Sequence, residues 1–217
     1  MNKCDSKRKV LFLIESLHGG KAAKALATLV QYIDKTKFDV TVCAITGGGK
    51  YESTISENVN YKAILKDGAR GTKYSLVYKR LPMSMVYKMF VPQGSDVEIA
   101  YTEGFATKLL SNSSNSKAKK YAWVHTDLYS NHWTKEVFSS EKEETKVYNQ
   151  YDKIIGFADL ICNAFKKRFP EVVKPVETIY DPVDSLSVRL KSLNASSEEE
   201  HKVGVRLVAH GRLEAHN

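Results

Sequence analysis

The amino-acid sequence predicts an α/β fold in which a parallel sheet is covered by helices on both faces. An unbroken apolar run at residues 10–14 has the length of a strand that is buried on both sides. It is followed by Gly19 and Gly20 and then by apolar residues at helical spacing, which is the opening unit of a parallel sheet. Short apolar runs and helical patterns then alternate along the chain, as they do in such a fold.

The individual elements follow this alternation. Strands are expected at residues 10–14, 39–45, 60–65, 96–101, 119–125, 152–157 and 176–180. Helices are expected at residues 22–33, 51–57, 74–90, 105–110, 139–149 and 159–169. Pro82 predicts a kink, or two short helices, because proline interrupts the helical hydrogen-bond ladder. Ser140 and Glu143 have the spacing of a capping pair at a helix start.

The composition changes near the end of the chain. Residues 192–202 are polar and unpatterned, which indicates a linker, and residues 203–209 are apolar enough for an interior strand. That strand has no sheet partners downstream, so it resembles the start of a second domain. We therefore expect a first domain at residues 1–184, a linker at 185–202 and a truncated second domain at 203–217.

Charge and cysteine content limit the possible partners and location. The chain has 33 basic and 25 acidic residues, a net charge of +8, which favours a phosphorylated substrate, an anionic membrane face or nucleic acid. No recognition motif accompanies the charge, so we do not expect nucleic-acid binding. Cys4, Cys43 and Cys162 lack metal-ligand spacing and are interpreted as reduced thiols. The expected location is the cytoplasm, with the inner face of the membrane as an alternative.

The glycine turn after the first strand has a specific physical use. Glycines let the backbone approach a ligand closely, and the following helix directs free N–H groups and a partial positive charge toward it. A phosphate or sugar phosphate is the natural ligand, although Gly19 and Gly20 could also simply make a tight turn. The turn continues with Lys21, and it lacks the third glycine of a dinucleotide-binding fingerprint.

A second candidate region, residues 62–88, is basic and rich in aromatic residues and methionine. Aromatic and methionine side chains alternate there with seven basic residues, Lys62, Lys66, Arg70, Lys73, Lys79, Arg80 and Lys88. This pattern fits a helix lying on an anionic membrane, and it fits equally a core-packed helix with a basic exposed face.

The ordered set of motifs resembles the family 4 (group 1) glycosyltransferases of bacterial surface-polysaccharide synthesis. The resembling segments cover nearly the whole chain and read KVLFLIESLHGGKAAKALATLV, KTKFDVTVCAITGGG, DVEIAYTEGFATKLL, KKYAWVHTDL, NHWTKEVFSSEKEE, YNQYDKIIGFA, VETIYDPVD and VAHGRLEAHN. The resemblance implies a GT-B fold, in which two Rossmann-like domains face each other across a cleft. In that family the first domain mainly binds the acceptor and the second holds the nucleotide sugar. Catalysis there retains the anomeric configuration and needs no metal, and the nucleotide sugar is a substrate, so no cofactor is expected.

The resemblance also assigns residues to the donor. Gly20, with Gly19 and Lys21, matches the glycine loop that lies against the donor phosphates, although Lys21 stands where the family usually has glycine. Arg212 matches the arginine that neutralises the leaving diphosphate. His125, at the end of its strand, matches a histidine that borders the transferred sugar, and we take it as the catalytic candidate. A histidine at the end of a strand is also commonly a structural residue held by hydrogen bonds, and this is the alternative for His125.

Polar residues near the strand ends are candidates for acceptor binding. We expect Glu103, Asp127 and His132 to take this role; a metal or hydrolase site is disfavoured because they lack ligand spacing. The acidic run 141–144 is interpreted as a solvated helix face. At the predicted exit of the first domain, Asp181 replaces the commoner asparagine of the family.

The sequence therefore indicates the N-terminal half of a glycosyltransferase. It would transfer a sugar from a nucleotide sugar to a glycan or a lipid-linked acceptor, and this chain alone is expected to be inactive. The alternative is a non-catalytic half-transferase, or a membrane-anchoring binding module, that needs a partner chain.

Overall fold

The computed structural model describes residues 6–66 and 81–194. The strands are β1 (Arg8–Ser16), β2 (Phe38–Thr46), β3 (Asn60–Leu65), β4 (Val97–Ala100), β5 (Lys119–Val124), β6 (Lys153–Gly156) and β7 (Val176–Thr178). The α-helices are α1 (Lys21–Tyr32), α2 (Glu52–Asn58), α3 (Met83–Phe90), α4 (Phe105–Leu110), α5 (Glu141–Tyr148), α6 (Asp159–Arg168) and α7 (Ser185–Asn194). A short 3₁₀ helix covers Trp133–Glu136. Within the described ranges, no helix has the length and apolar character needed to cross a bilayer.

The strands form one parallel sheet in the order β3-β2-β1-β4-β5-β6-β7. The first strand lies near the centre, where Val10 is level with Val40 of β2 and with Val97 of β4. The order reverses direction at β1, so the chain winds outward first on one side and then on the other. The predicted Rossmann-like α/β fold is confirmed.

Both faces of the sheet are buried, as the apolar run in β1 predicted. Leu11 and Leu13 belong to one hydrophobic cluster, and Val10, Phe12 and Ile14 belong to the other. All five side chains are buried. Because successive side chains of a strand point to opposite faces, an unbroken apolar run is what a central strand between two helical layers requires.

The observed bounds agree closely with the expected ones. The strand at 60–65 and the helix at 105–110 have the predicted limits. Helix α3 begins directly after Pro82, where proline lacks the N–H that a helix interior would use. The expected helical residues 74–80 lie outside the described residues, as do the predicted strand 203–209 and the remainder of the basic stretch between 67 and 80.

The chain divides into two compact units, Met1–Val183 and Asp184–Asn217. The predicted domain limits stay a prediction, but one expectation differs within the second unit: ten residues of the supposed linker form α7. The Ser187 N–H donates to the Asp184 carboxylate over 2.9 Å, and the Val188 N–H donates to the Asp184 carbonyl over 3.1 Å. Asp184 therefore caps this helix start, which is a signal that the sequence contained.

The capping pair of α5 is confirmed. The Glu143 N–H donates to Ser140 Oγ over 3.1 Å, and the Glu143 carboxylate accepts the Ser139 N–H over 2.6 Å. We expect Ser140→Ala to lower the free energy of unfolding by about 1 kcal/mol, because an N–H of the first turn loses its acceptor. Ser140→Asp keeps an acceptor and should cost almost nothing. Equal urea midpoints for the two variants would contradict this role of Ser140.

Candidate functional site

The predicted site residues lie at the carboxyl edge of the sheet. Because the strands are parallel, the segments that follow β1, β4, β5 and β7 all leave at this edge. They carry the glycine turn, Glu103, His125 and Asp181 respectively. Ligands of open parallel sheets bind in this position, so the edge is the first place to look for function.

The glycine turn has an open geometry. Gly20 has φ 90° and ψ 170°, a conformation that is essentially restricted to glycine. Among residues 6–66 and 81–194, no atom beyond the chain neighbours lies within 4 Å of the position that a Cβ would occupy at Gly19 or Gly20. Helix α1 begins at Lys21, its first turn holds no acidic residue, and no side chain in the described part of the chain caps it. The helix start is therefore open to an anion.

A second glycine, Gly49, allows the β2–α2 loop to pack against this turn. Gly49, between β2 and α2, has φ 104°, and a Cβ there would lie 2.4 Å from the backbone N and Cα of His18. The Tyr51 N–H also donates to the Leu17 carbonyl over 3.2 Å. The β2–α2 loop thus packs directly on the backbone that enters the glycine turn.

His125 lies in a pocket of aromatic rings at the end of β5. Its imidazole is nearly parallel to the rings of Trp123 and Phe157, at centroid distances of 6.1 and 5.9 Å. The Tyr101 ring lies 5.0 Å away, at a tilt of 52°. The imidazole is 6% exposed, and its Nε2 is 3.5 Å from Oδ1 of Asp181, whose side chain is 19% exposed.

Glu103 holds the backbone of His125. Its side chain is buried, and its carboxylate accepts the His125 N–H over 2.9 Å, which joins the end of β4 to the end of β5. The next residue, Gly104, has φ 87°, and a Cβ there would meet the Trp133 ring at 2.6 Å. Glu103 is thus engaged inside the protein, and its role in acceptor binding stays a prediction.

Asp127 shapes the loop that follows β5. Its carboxylate accepts the N–H groups of Tyr129 and Ser130, each over 3.0 Å, and the Ser130 hydroxyl over 2.8 Å. These hydrogen bonds, chiefly those from Ser130, lower the pKa of Asp127. The side chains of Tyr129 and Trp133 in the same loop are 59% and 37% exposed.

His132 is committed to a buried carboxylate. Its Nε2 lies 2.7 Å from Oε2 of Glu144, whose Oε1 accepts the Thr134 hydroxyl over 2.7 Å. Glu144 lies on α5 and is fully buried, and burial raises the pKa of this carboxyl. The prediction that residues 141–144 form a solvated face is therefore wrong for Glu144, because the inner side of α5 carries it. Acceptor binding by His132 stays a prediction.

The structure brings some of the candidates together and leaves others apart. His125 contacts Glu103 through its backbone N–H and Asp181 through its imidazole, and Asp127 and His132 share the neighbouring loop. Arg212 lies outside the described residues. Among those described, no group of three His, Cys, Asp or Glu side chains could hold a metal ion. Sequence reasoning missed Glu144 and noted Asp181 only as a departure from the family pattern.

The fold is similar to those of several solved glycosyltransferases. A structure of Anabaena Alr3699/HepE in complex with UDP has 16% sequence identity and a TM-score of 0.55, over 85% of this chain and 49% of that chain. Apo UGT2 of Phytolacca americana has 14% identity and a TM-score of 0.52, over 86% and 55%. An α-glucosyltransferase in complex with UDP-glucose and abasic DNA has 14% identity and a TM-score of 0.50, over 84% and 44%. The sequence matches no protein-family model and no curated protein.

These similarities show the fold. The parallel sheet and its helices have the Rossmann-like arrangement found in GT-B glycosyltransferases. The chain spans about half the length of the solved structures that it matches.

Proposed function

We propose that this chain is the N-terminal half of a glycosyltransferase of family 4 (group 1), which transfers a sugar from a nucleotide sugar to an acceptor hydroxyl. The observation that carries the proposal is the open glycine turn before α1, at the same sheet edge as the His125 pocket. The solved structures with this fold include HepE in complex with UDP-glucose, which supports a nucleotide-sugar donor. The acceptor would be a glycan or a lipid-linked sugar of surface-polysaccharide synthesis.

The glycine turn would bind the donor diphosphate. Gly20 lets the backbone approach a phosphate, and the N–H groups at the start of α1 would donate to its oxygens. Lys21 is exposed at the same position and adds a positive charge. Fixed donors and charges of this kind stabilise the negative charge that develops on the leaving diphosphate, without a metal ion. The resemblance adds Arg212 to this group and predicts that the anomeric configuration is retained.

The acceptor would lie against the loop after β5. This loop exposes Tyr129 and Trp133, and aromatic rings of this kind provide apolar faces for sugar rings. Asp127 fixes the loop, and Trp133 packs on the backbone of Gly104. We include Glu103, Asp127 and His132 in this proposal as residues that bind the acceptor.

One observation favours a membrane location for the same protein. Helix α3 exposes Met85 and Met89, one turn apart, with Lys88 beside them. Apolar side chains with a neighbouring cation suit the surface of an anionic bilayer, where a lipid-linked acceptor would be found. The alternative function, a non-catalytic half-transferase that anchors a partner chain, would use the same surface.

Chemical-shift mapping of the chain with UDP and with inorganic diphosphate tests the phosphate site. We expect millimolar ligand to shift the amide signals of Gly19, Gly20 and Lys21. Lys21→Glu should abolish the shifts, because it places a negative charge at the helix start. Lys35→Glu changes the charge equally at the opposite edge of the sheet and should leave them unchanged. Absence of shifts at the turn, or equal losses in both variants, would refute the phosphate site.

A further inference from the structure

Several buried polar atoms around His125 have no hydrogen-bond partner among the described residues. They are Nδ1 and Nε2 of His125, Oδ1 of Asp181, the Tyr101 hydroxyl and Nε1 of Trp123. Buried polar groups are normally satisfied, so a cluster of unsatisfied groups in one place needs an explanation, such as a ligand. This cluster lies at the ends of β4, β5 and β7, where a ligand of the sheet would bind.

The residues of this cluster differ in their exposure to solvent. Both ring nitrogens of His125 are shielded from solvent, and two neighbouring aromatic rings, those of Trp123 and Phe157, are nearly parallel to the imidazole. Asp181 Oδ1 is shielded as well and faces His125 Nε2 at 3.5 Å. The Asp181 side chain as a whole is 19% exposed, whereas the His125 side chain is 6% exposed. A molecule entering from solvent therefore meets Asp181 before it meets His125.

We propose that Asp181 is the residue of this site that contacts the sugar, that His125 is a positioning residue behind it, and that the carboxylate selects neutral over acidic sugars. The inference rests on the proposed function, because it names the class of sugar at the donor end of that site. It differs from the role that the family resemblance gives to His125.

The chemistry of the unsatisfied groups defines the ligand. An ionised carboxylate only accepts hydrogen bonds and an indole N–H only donates, so a ligand rich in hydroxyl groups, which do both, matches this set. Burial, assisted by the charge of Asp181, raises the pKa of Tyr101, so its hydroxyl stays protonated and adds a further donor. A uronic acid would bring a second carboxylate to Asp181, and like charges in one site repel each other. Asparagine, the commoner residue here in the family, would impose no such charge.

The test uses methyl glucoside and methyl glucuronide. The two sugars have the same ring and differ only at C6, which is a hydroxymethyl group in the first and a carboxylate in the second. The chain has two tryptophans, so the indole N–H signal of the buried Trp123 can be resolved from that of the exposed Trp133. We expect the glucoside to shift the signals of Trp123 and of the His125 imidazole, and the glucuronide to bind at least about tenfold more weakly. Asp181→Asn, which conserves the shape, should bring the two affinities together.

Two further variants separate the roles of the residues. His125→Gln should weaken both sugars and leave their ratio unchanged, because it disturbs the placement of Asp181 and not its charge. Asp39→Asn makes the same charge change at the amino end of β2 and should have no effect on the ratio. Equal affinities in the unmodified chain, an unchanged ratio in Asp181→Asn, or no shift with either sugar would overturn the inference; the last result would mean that water alone fills the site.

The inference and the proposed function can fail separately. If UDP shifts the glycine turn but no sugar perturbs Trp123, the inference is overturned and the phosphate site is retained. If the glucoside binds selectively but UDP leaves the turn unchanged, the sugar site is supported and the transferase proposal fails.

Discussion

Replacing Gly49 with alanine is expected to lower the free energy of unfolding by about 3–5 kcal/mol. Two costs combine at this position. The φ of 104° is unfavourable for any residue with a side chain, and the added Cβ would lie 2.4 Å from the backbone of His18. A backbone atom cannot rotate away as a side chain can, so either the β2–α2 loop or the glycine turn must move.

Gly94 provides a matched control for this variant. It has a similar φ of 89°, but no atom in the part of the chain that the structure describes lies within 4 Å of its Cβ position. Gly94→Ala should therefore carry only the backbone cost, about 1–2 kcal/mol. Any gain from a less flexible unfolded chain is the same in both variants and cancels in the comparison. Urea unfolding that showed equal losses for the two alanines would contradict the close approach at His18.

The sheet could be predicted from the sequence because its signals are local. A central strand needs an apolar run, and the run at residues 10–14 is continuous since helices cover both faces. Gly20 could be identified because its turn joins two recognisable elements. Helix α7 was not predicted because the polar residues 192–202 indicated a linker, although Leu186, Leu190 and Leu193 have helical spacing and Asp184 caps the helix start.

The contacts within the site could not be predicted, because they join distant parts of the chain. His125 and Asp181 come from β5 and from the segment after β7, with β6 between them in the sheet, so their approach depends on the strand order. Glu103 meets the backbone of His125 for the same reason. The approach of Asp181 to His125 can be recognised only in the folded protein, where those strand ends come together.

Replacing Glu144 with alanine is expected to cost about 3–5 kcal/mol, because it breaks a buried hydrogen-bond network and leaves a cavity. Glu144 is fully buried and bonded to both His132 and Thr134, each over 2.7 Å. Its removal leaves these two partners without their acceptor and frees the loop after β5. The acceptor site proposed at this loop would then lose the structure that holds it in place.

Glu141 on the same helix is the natural control. It pairs with Arg168, but its side chain is 53% exposed, so Glu141→Ala should cost at most about 1 kcal/mol. Comparable losses in the two variants would show that the buried hydrogen bonds of Glu144 add little to stability, since alanine itself favours the helix.

The pH dependence of a third variant, Glu144→Gln, shows whether the protonated or the ionised form of Glu144 stabilises the folded protein. Burial raises the pKa of Glu144 above its value in the unfolded chain, so the folded protein binds the proton more tightly. The stability from this group is then fully present below about pH 4, where the unfolded carboxyl is also protonated, and is lost as the pH rises toward the folded pKa. Glutamine cannot ionise, so the cost of Glu144→Gln should be largest in acid and should shrink as the pH rises above about 4. A cost that grows over this range in urea unfolding would mean that pairing with His132 dominates burial at Glu144.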